Sequence, residues 1–307
     1  MRRKMSFYIR HPQYVGLSIL MRYFQWIPDS LYLRAMYRFK MGHGLSLKNP
    51  QTFSEKLQWL KLYDRRPEYT TMVDKHASKF YVAQKIGEEY IIPTTGVWDC
   101  VEDIDWDSLP DRFVLKTTHD SGGVVVCHGK ETLNKDLAKQ KLSESLARDY
   151  YLSKREYQYK NVPRRIIAEQ YLDPRPDADD IYDFKFFTFN GEPRVLLFCS
   201  ERKNGTSKWD FYDMEMRRMN VSAVHHKTTN LQLNKIVSRE VFEKMKEIAR
   251  VLGKGIPFVS VDQYFIQGRI YWGELTLHSG AGFLRYEPEE FDIVLGRMLD
   301  LPQKTKK

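Results

Sequence analysis

The chain has 307 residues, 42% hydrophobic and 14% aromatic, with a formal net charge of +9. That length can bury a large core and divides into two or three lobes, and the composition excludes a disordered chain. Residues 1–50 hold nine basic side chains against the single acid Asp29, while the rest of the chain is nearly neutral, with 40 bases and 39 acids. Such asymmetry suits an anionic partner (a membrane surface, an acidic glycan or nucleic acid) and equally a solvated helical face. Cys100, Cys127 and Cys199 are far apart and form no Cys-x-x-Cys. This points to a reducing compartment, argues against structural zinc, and leaves all three as buried spectators. The best N-terminal apolar run, residues 15–21, stops at Arg22, short of the roughly 20 residues a span requires. The expected location is the cytoplasm, with peripheral docking at the inner face of the plasma membrane as an extension of it.

Residues 12–40 are expected to be helical. Leu17, Leu20, Met21 and Phe24 fall at helical spacing, and Asp29 or Ser30 can cap a second helix carrying Leu31, Leu33, Tyr37 and Phe39. Interleaved Tyr, Trp and Arg suit an interfacial helix on lipid phosphate as well as an aromatic packing helix. After a break at 41–45, Thr52 or Ser54 can cap a helix through Leu60, with Glu55 closing a capping box on Thr52. Asp74 caps the next helix, which carries Phe80, Val82, Ala83 and Ile86 and ends at Gly87. A short strand is expected over 90–93.

Residues 113–117 and 124–127 are expected strands, joined by a turn at 119–123. A Lys on a strand (Lys116) beside Ser121, Gly122 and Gly123 can hold phosphate, because Lys supplies a point charge and glycines let backbone N–H groups close on the oxygens. An ordinary tight turn has the same sequence. Residues 132–152 read as helix, 154–165 as a basic, Tyr-rich loop, 164–172 as a buried strand and 173–180 as an acidic loop. Asn190-Gly191 between two apolar runs is a strong hairpin signal. Ser238 opens a helix to Leu252, and a short helix follows over 288–299.

Residues 258–283 read as two strands folded at Gln267-Gly268. A strict two-residue turn sets Asp262 opposite Gly273; a three-residue loop, or a bulge near Gly273, sets it opposite Glu274. Thr276 shares the face of Glu274. Facing carboxylates repel unless a cation lies between them, and hard oxygen ligands suit Mg²⁺. A surface hairpin with scattered charges fits the spacing as well.

In this order the pieces resemble the ATP-grasp superfamily: Asp74-Lys75 before Ile92-Pro93, Lys116 and its Gly-rich turn, Glu169 to Leu172, Asp183 with Lys185, and Asp262…Glu274-x-Thr276. Pro50-x-Thr-Phe-Ser-Glu-Lys-Leu-Gln-Trp-Leu60 and Gly273-Glu-Leu-Thr276 resemble, more narrowly, the ATP-grasp family named after teichuronopeptide biosynthesis, which occurs in bacterial capsule, O-antigen and exopolysaccharide clusters. The resemblance covers most of 48–302. It implies an α+β fold: a helical basic region (1–70), a lobe with the phosphate Lys and flap (71–167), a lobe with adenine hinge and metal hairpin (168–302), and a tail (303–307).

The same resemblance implies residue roles. Lys75 and Lys116 would hold ATP phosphates under a flap of Ser121, Gly122 and Gly123. Glu169, Gln170, Tyr171 and Leu172 would grip adenine, and Asp177 the ribose. Lys185 and Arg202 would face the transferring phosphate. Asp262, Glu274 and Thr276 would hold Mg²⁺, or Mn²⁺ in its place. Thr276 stands where the superfamily usually has Asn, and Ser260 where an arginine is common, so Arg202 or Arg285 would have to replace that arginine. The implied reaction is ADP-forming carboxylate–amine ligation in polysaccharide biosynthesis. Its partners are ATP, an amine, and a carboxylate such as a uronic acid on a lipid-linked or nucleotide-linked glycan; nucleic acid is not among them. A rival reading is a glycosyltransferase using Asp103-Ile-Asp105, Asp105-Trp-Asp107 or Asp177-Ala-Asp179. A second rival is a catalytically weak glycan-binding scaffold, and a variant of it phosphorylates a sugar hydroxyl. His225, His226 and His278 are expected to be structural or substrate-facing.

Overall fold

The computed structural model describes residues 26–174, 181–201, 207–229 and 231–304. The chain begins with helices α1 (Asp29–Met41), α2 (Phe53–Tyr63), α3 (Glu68–Val73) and α4 (Ala77–Ile86). Strands β1 (Thr94–Trp98), β2 (Phe113–Thr117) and β3 (Val124–Cys127), helices α5 (Lys135–Leu146) and α6 (Tyr150–Lys154), and β4 (Ile166–Gln170) follow. Then come β5 (Asp183–Phe189), β6 (Glu192–Ser200), β7 (Lys208–Tyr212), β8 (Ser222–Ala223), α7 (Leu233–Ile236) and α8 (Arg239–Gly253). The hairpin β9 (Phe258–Ile266) and β10 (Arg269–Thr276), strand β11 (Tyr286–Glu287) and α9 (Glu290–Met298) close the chain.

Two antiparallel sheets organise these elements. One has the order β1-β4-β2-β3, the other β10-β9-β5-β6-β7, and β8 pairs with β11. The second sheet is buried on both faces, so its central strand β5 reads as near-continuous aromatic residues rather than as polar–apolar alternation. Phe184 and Phe186 project to one side, where α8 lays down Phe242, Met245, Ile248, Ala249 and Leu252. Phe187 and Phe189 project to the other, against Phe53, Leu57 and Leu60 of α2 and Phe291 and Leu295 of α9. The first sheet has its own core of Phe113, Leu115, Val125, Leu142, Ile166 and Ala168 with Trp106.

The capping box at Thr52 and Glu55 forms as expected, as does the Ser238 cap on α8. Several expectations fail locally. Pro28, not Asp29 or Ser30, precedes α1 and makes no side-chain cap. Residues 88–90 are a 3-10 turn and the strand is Thr94–Trp98, because Pro93 lacks the N–H a ladder needs. The helix expected over 132–152 is two helices, separated at 147–149, where Asp149 recaps the chain. Asp74 accepts from the His76 N–H but α4 starts beyond it, and Phe80 is exposed. Cys127 and Cys199 are buried while Cys100 is only half-buried. Among the described residues no helix is long and apolar enough to cross a membrane.

Phe53 ties the layers together: its ring lies 4.8 Å from Phe258, 5.6 Å from Phe189 and 6.3 Å from Phe187. Phe53→Ala is expected to cost about 3–5 kcal/mol of stability in urea unfolding. A loss below about 1 kcal/mol would show that the interlayer core is not built on this ring.

Candidate active site

The hairpin register combines both devices weighed above. Across the two-residue turn Ile266 faces Arg269 and Gln263 faces Trp272; the register then shifts, and Asp262 faces Glu274. The extra residue is Gly273, where a Cβ would come within 3.0 Å of the Tyr264 ring. The bulge turns Glu274 onto the face of Asp262. On the other side of β9, Lys185 faces Asp262 and Phe187 faces Ser260. One face of the sheet therefore carries aromatic rings at one end and charged groups at the other.

The Lys185 ammonium ion-pairs with Asp262 Oδ2, lies 2.9 Å from Asp183 Oδ2 and 3.9 Å from Glu274 Oε1. Burial disfavours its charge, but Asp183, Asp262 and Glu274 outweigh that and hold its pKa well above the ordinary value. Burial pushes Asp262 well up; Lys185 opposes the shift, and Asp183 and Glu274 add to it. Glu274 is half-exposed, and against desolvation Lys185 and then Lys75 draw its pKa down. Ser260 Oγ donates to Asp262 Oδ1 at 2.6 Å, so the residue in the usual arginine position supports the carboxylate instead. Thr276 faces Ser260 one row along.

Among the described residues no three His, Cys, Asp or Glu side chains are grouped as a metal cage. The carboxylates converge on an ammonium, three acids to one base. A hard-oxygen donor set is the chemistry of Mg²⁺. Asp262 and Glu274 could hold such an ion, with the Thr276 hydroxyl as a neutral ligand.

Lys116 of β2 ion-pairs with Glu169 Oε2, while Lys79 of α4 lies 2.6 Å from Glu169 Oε1 and donates to the Ile92 carbonyl at 2.6 Å. Burial lowers the Lys116 pKa, but Glu169 reverses the sign and the net shift is upward. Burial raises Glu169, and Lys116 and Lys79 together carry it below the usual range. Lys75 donates to the Asp120 carbonyl, and burial lowers its pKa, with Glu274 the largest opposing influence. Lys75, Lys116 and Lys185 thus all feel Glu274.

The turn after β2 is pinned at both ends. The buried Asp120 carboxylate accepts from Thr117 Oγ1 and Ser145 Oγ. At Gly123 a Cβ would meet Thr117 Oγ1 at 2.0 Å and Ser145 Oγ at 2.2 Å, so only glycine fits. Ser121 and Gly122 between them are exposed.

The expected adenine hinge divides. Glu169 spends its carboxylate on two lysines, and Gln170 is exposed with its N–H donated to the Pro93 carbonyl. Tyr171 packs on His128 and under Arg112. Leu172 joins Ile92 and Ile266 in a buried apolar cluster flanked by Ile181, Tyr264 and Tyr271, a surface able to take a flat base. Lys79, Ile92, Ile266, Tyr264 and Tyr271 were not anticipated; Lys79 was visible only as a basic residue three before Val82 on the buried stripe of α4.

Asp177 and Arg202 lie outside the described residues. Arg285 lies near Glu289 and lines a 270 Å³ cavity with His43 and Tyr286, away from the carboxylates. A 410 Å³ cavity lined by Tyr90, Phe265 and Ile270 contains none of the expected site residues. Asp105 caps a turn through the N–H groups of Asp107 and Ser108, with Trp106 and Ile104 buried in the core. The Asp-x-Asp spacing there is local turn chemistry. His226 stacks on Trp209 at 3.6 Å, and His278 is buried between Gln158 and Glu156.

The model of the TupA-like ATP-grasp family matches residues 55–300. This chain belongs to that family. A comparison with curated proteins returns no match. Among solved structures, the TupA-like chain is similar to the D-alanine–D-alanine ligase of Bacillus anthracis complexed with ATP, at 13% identity and TM-score 0.38, over 73% of this chain and 55% of that one. It is also similar to the D-alanine–D-alanine ligase of Helicobacter pylori, at 10% identity and TM-score 0.42, over 80% and 69%. A third is the ATP-grasp ligase PsnB complexed with a minimal precursor, Mg and ADP, at 10% identity and TM-score 0.38, over 87% and 70%. The match spans little more than half of the first of these structures. Members of the ATP-grasp family bind ATP and Mg²⁺, and this chain has a mixed helix and sheet fold with two main antiparallel sheets.

Glu169 gives the site a pH signature. Its folded pKa lies below the unfolded value of about 4.3, so its contribution is present at neutral pH and lost as pH falls through that window. Glu169→Gln is expected to lower the urea midpoint at neutral pH and to flatten the stability loss between roughly pH 5 and pH 3. Identical acid slopes for variant and wild type would refute this.

Proposed function

We propose that the chain is an ATP- and Mg²⁺-dependent, ADP-forming carboxylate–amine ligase of bacterial polysaccharide biosynthesis, which amide-links an amino compound to a uronic acid or similar carboxylate. The observation that carries it is the charged row of Lys185, Asp262 and Glu274 across three paired strands, with Lys75 and Lys116 close enough for Glu274 to act on both. The polysaccharide setting and the substrates rest on the family resemblance.

In this reading a substrate carboxylate oxygen attacks the γ-phosphorus as the bond to ADP breaks. The amine lone pair then attacks the acyl carbon, phosphate leaves, and the nitrogen loses a proton. Lys116 and Lys185 stabilise charge on the phosphate oxygens, positioned by the strands rather than by mobile loops. Mg²⁺ on Asp262 and Glu274 would add charge neutralisation at the same oxygens. Lys185 must exchange part of its carboxylate shell for phosphate, which a divalent ion on those carboxylates would favour. The ordered pinning of Asp120 and Gly123 leaves Ser121 and Gly122 as the part of the turn that closes over phosphate.

Calorimetric titration of ATP with Mg²⁺ tests the reading. Wild type is expected to bind, with Lys116→Met and Glu274→Ala each weakening affinity by about tenfold or more. No binding by a folded wild type would sink the ligase reading.

The enzyme would act in the cytoplasm, docked on the anionic inner face of the membrane. Trp26, Leu31 and Phe39 are 77%, 57% and 47% exposed and share the outer side of α1 and its entry with Arg34 and Arg38. Aromatic and basic residues side by side suit a headgroup layer. Co-sedimentation with phosphatidylglycerol vesicles should fall when Arg2, Arg3, Lys4, Arg10, Arg34 and Arg38 are neutralised together; unchanged binding would exclude this role for residues 1–50.

A further inference from the structure

The loop that leaves β10 runs past Thr276 into three successive left-handed residues, Gly280, Ala281 and Gly282, with φ of 55°, 55° and 67°. Helix α2 holds this loop by its carbonyls. Gln58 Nε2 donates to Gly282 O at 2.7 Å and Ala281 O at 3.2 Å, and Lys61 Nζ donates to Ala281 O at 2.7 Å. Lys61 also donates to the carbonyl of Lys154, the last residue of α6, at 3.0 Å.

Three lysines from three helices gather here. Around the Phe283 ring, the Lys61 ammonium stands 4.8 Å and the Lys40 ammonium 5.9 Å from the centroid. Lys154 is close enough to disfavour the charge of both. Among the described residues none of the three makes a salt bridge; Glu156, which acts on Lys61, is paired with His278 Nδ1 at 3.5 Å. Burial lowers the Lys61 pKa to about 7, with Glu156 opposing and Lys154 adding to the shift. Lys61 is satisfied by its two carbonyls, whereas Lys40 and Lys154 are half-buried side by side with it and have no carboxylate within salt-bridge distance among the described residues, so an anion from outside would relieve their mutual repulsion.

The loop that Lys61 holds continues directly from the strand of Glu274 and Thr276. Tyr150 and Tyr159 pack edge to face at 4.8 Å, and Glu156 and Glu274 both act on both hydroxyls. The tyrosine pair therefore lies within electrostatic reach of both Glu274 and Glu156, and Tyr150 opens the helix that Lys154 ends.

We propose that the half-buried Lys40 and Lys154, backed by the buried Lys61, form an anion subsite that takes a phosphate or carboxylate group of the acceptor substrate, whose body lies along Tyr150 and Tyr159 toward Glu274. Naming the ligand an acceptor rests on the ligase reading; anion binding by the lysines does not. The subsite selects acceptors that carry negative charge at a fixed distance from the reacting group, as a sugar phosphate or a uronate does. The body of the substrate meets two tyrosines, which offer flat apolar faces and hydroxyls together.

The test uses the full chain saturated with Mg²⁺ and a non-hydrolysable ATP analogue, titrated calorimetrically with glucose 1-phosphate and, separately, with glucuronate. At least one probe is expected to bind saturably, and Lys40→Met and Lys154→Met should each weaken it by about tenfold while nucleotide affinity stays within about twofold. Both lysines are half-buried, and circular dichroism confirms that the variants fold. Binding of one probe alone identifies phosphate or carboxylate as the recognised group. No saturable binding of either probe, or binding that survives both substitutions, overturns the subsite. If wild type fails to bind the nucleotide, the ligase reading fails, and the same titrations without nucleotide still decide the subsite.

Discussion

Three carboxylates crowd one ammonium on the buried strand β5, and the rest of the site is arranged around that imbalance. A strand buried on both faces can carry charge only where the charges neutralise one another. The Phe rings of β5 fill the sheet's two cores, so its polar pair, Asp183 and Lys185, has to find partners along the sheet rather than in solvent. Asp262 supplies one through the neighbouring strand, and the bulge at Gly273 brings in Glu274 from the strand beyond. Without that one extra residue Glu274 would face the opposite side, and the row would lose its outermost carboxylate. Ser260 then gives Asp262 a neutral donor on its second oxygen.

Much of this was legible because period and turn chemistry are local. Asn190-Gly191 and Gln267-Gly268 announce their hairpins, and the Thr52 and Glu55 pair announces α2. What the sequence left open was decided by contacts distant in the chain. The register of Asp262 depended on whether a glycine would bulge, and the Tyr264 ring packed against Gly273 belongs to the partner strand. The helix expected through 152 broke because Asp149 caps a new start, a competition between two good local solutions. Lys79 was hidden because a buried lysine makes sense only once its carboxylate, ninety residues later, is in place. The departure at Ser260 was legible as a substitution but not as a hydrogen bond.

The segment from Pro50 to Leu60 had a recognisable pattern but no readable chemistry. Its polar residues turn out to be spent inward. Ser54 donates from its N–H and hydroxyl to Asp292, and Lys56 donates to the carbonyls of Gly296 and Leu299 at the end of α9. Gln58, and Lys61 just beyond, hold the loop after the β9–β10 hairpin. The helix fastens the end of the chain to the five-stranded sheet, so the pattern from Pro50 to Leu60 reflects several simultaneous hydrogen-bond demands.

Glu169 has a consequence for how Lys116 would meet an anion. A buried carboxylate stripped of its counter-ion is expensive, yet Lys116 can be drawn off Glu169 Oε2 while Lys79 stays on Oε1. The second lysine is a standing reserve: an anion competing for Lys116 would leave Glu169 still paired in the core. The cost of recruiting a lysine already committed elsewhere is thereby lowered before the ligand arrives.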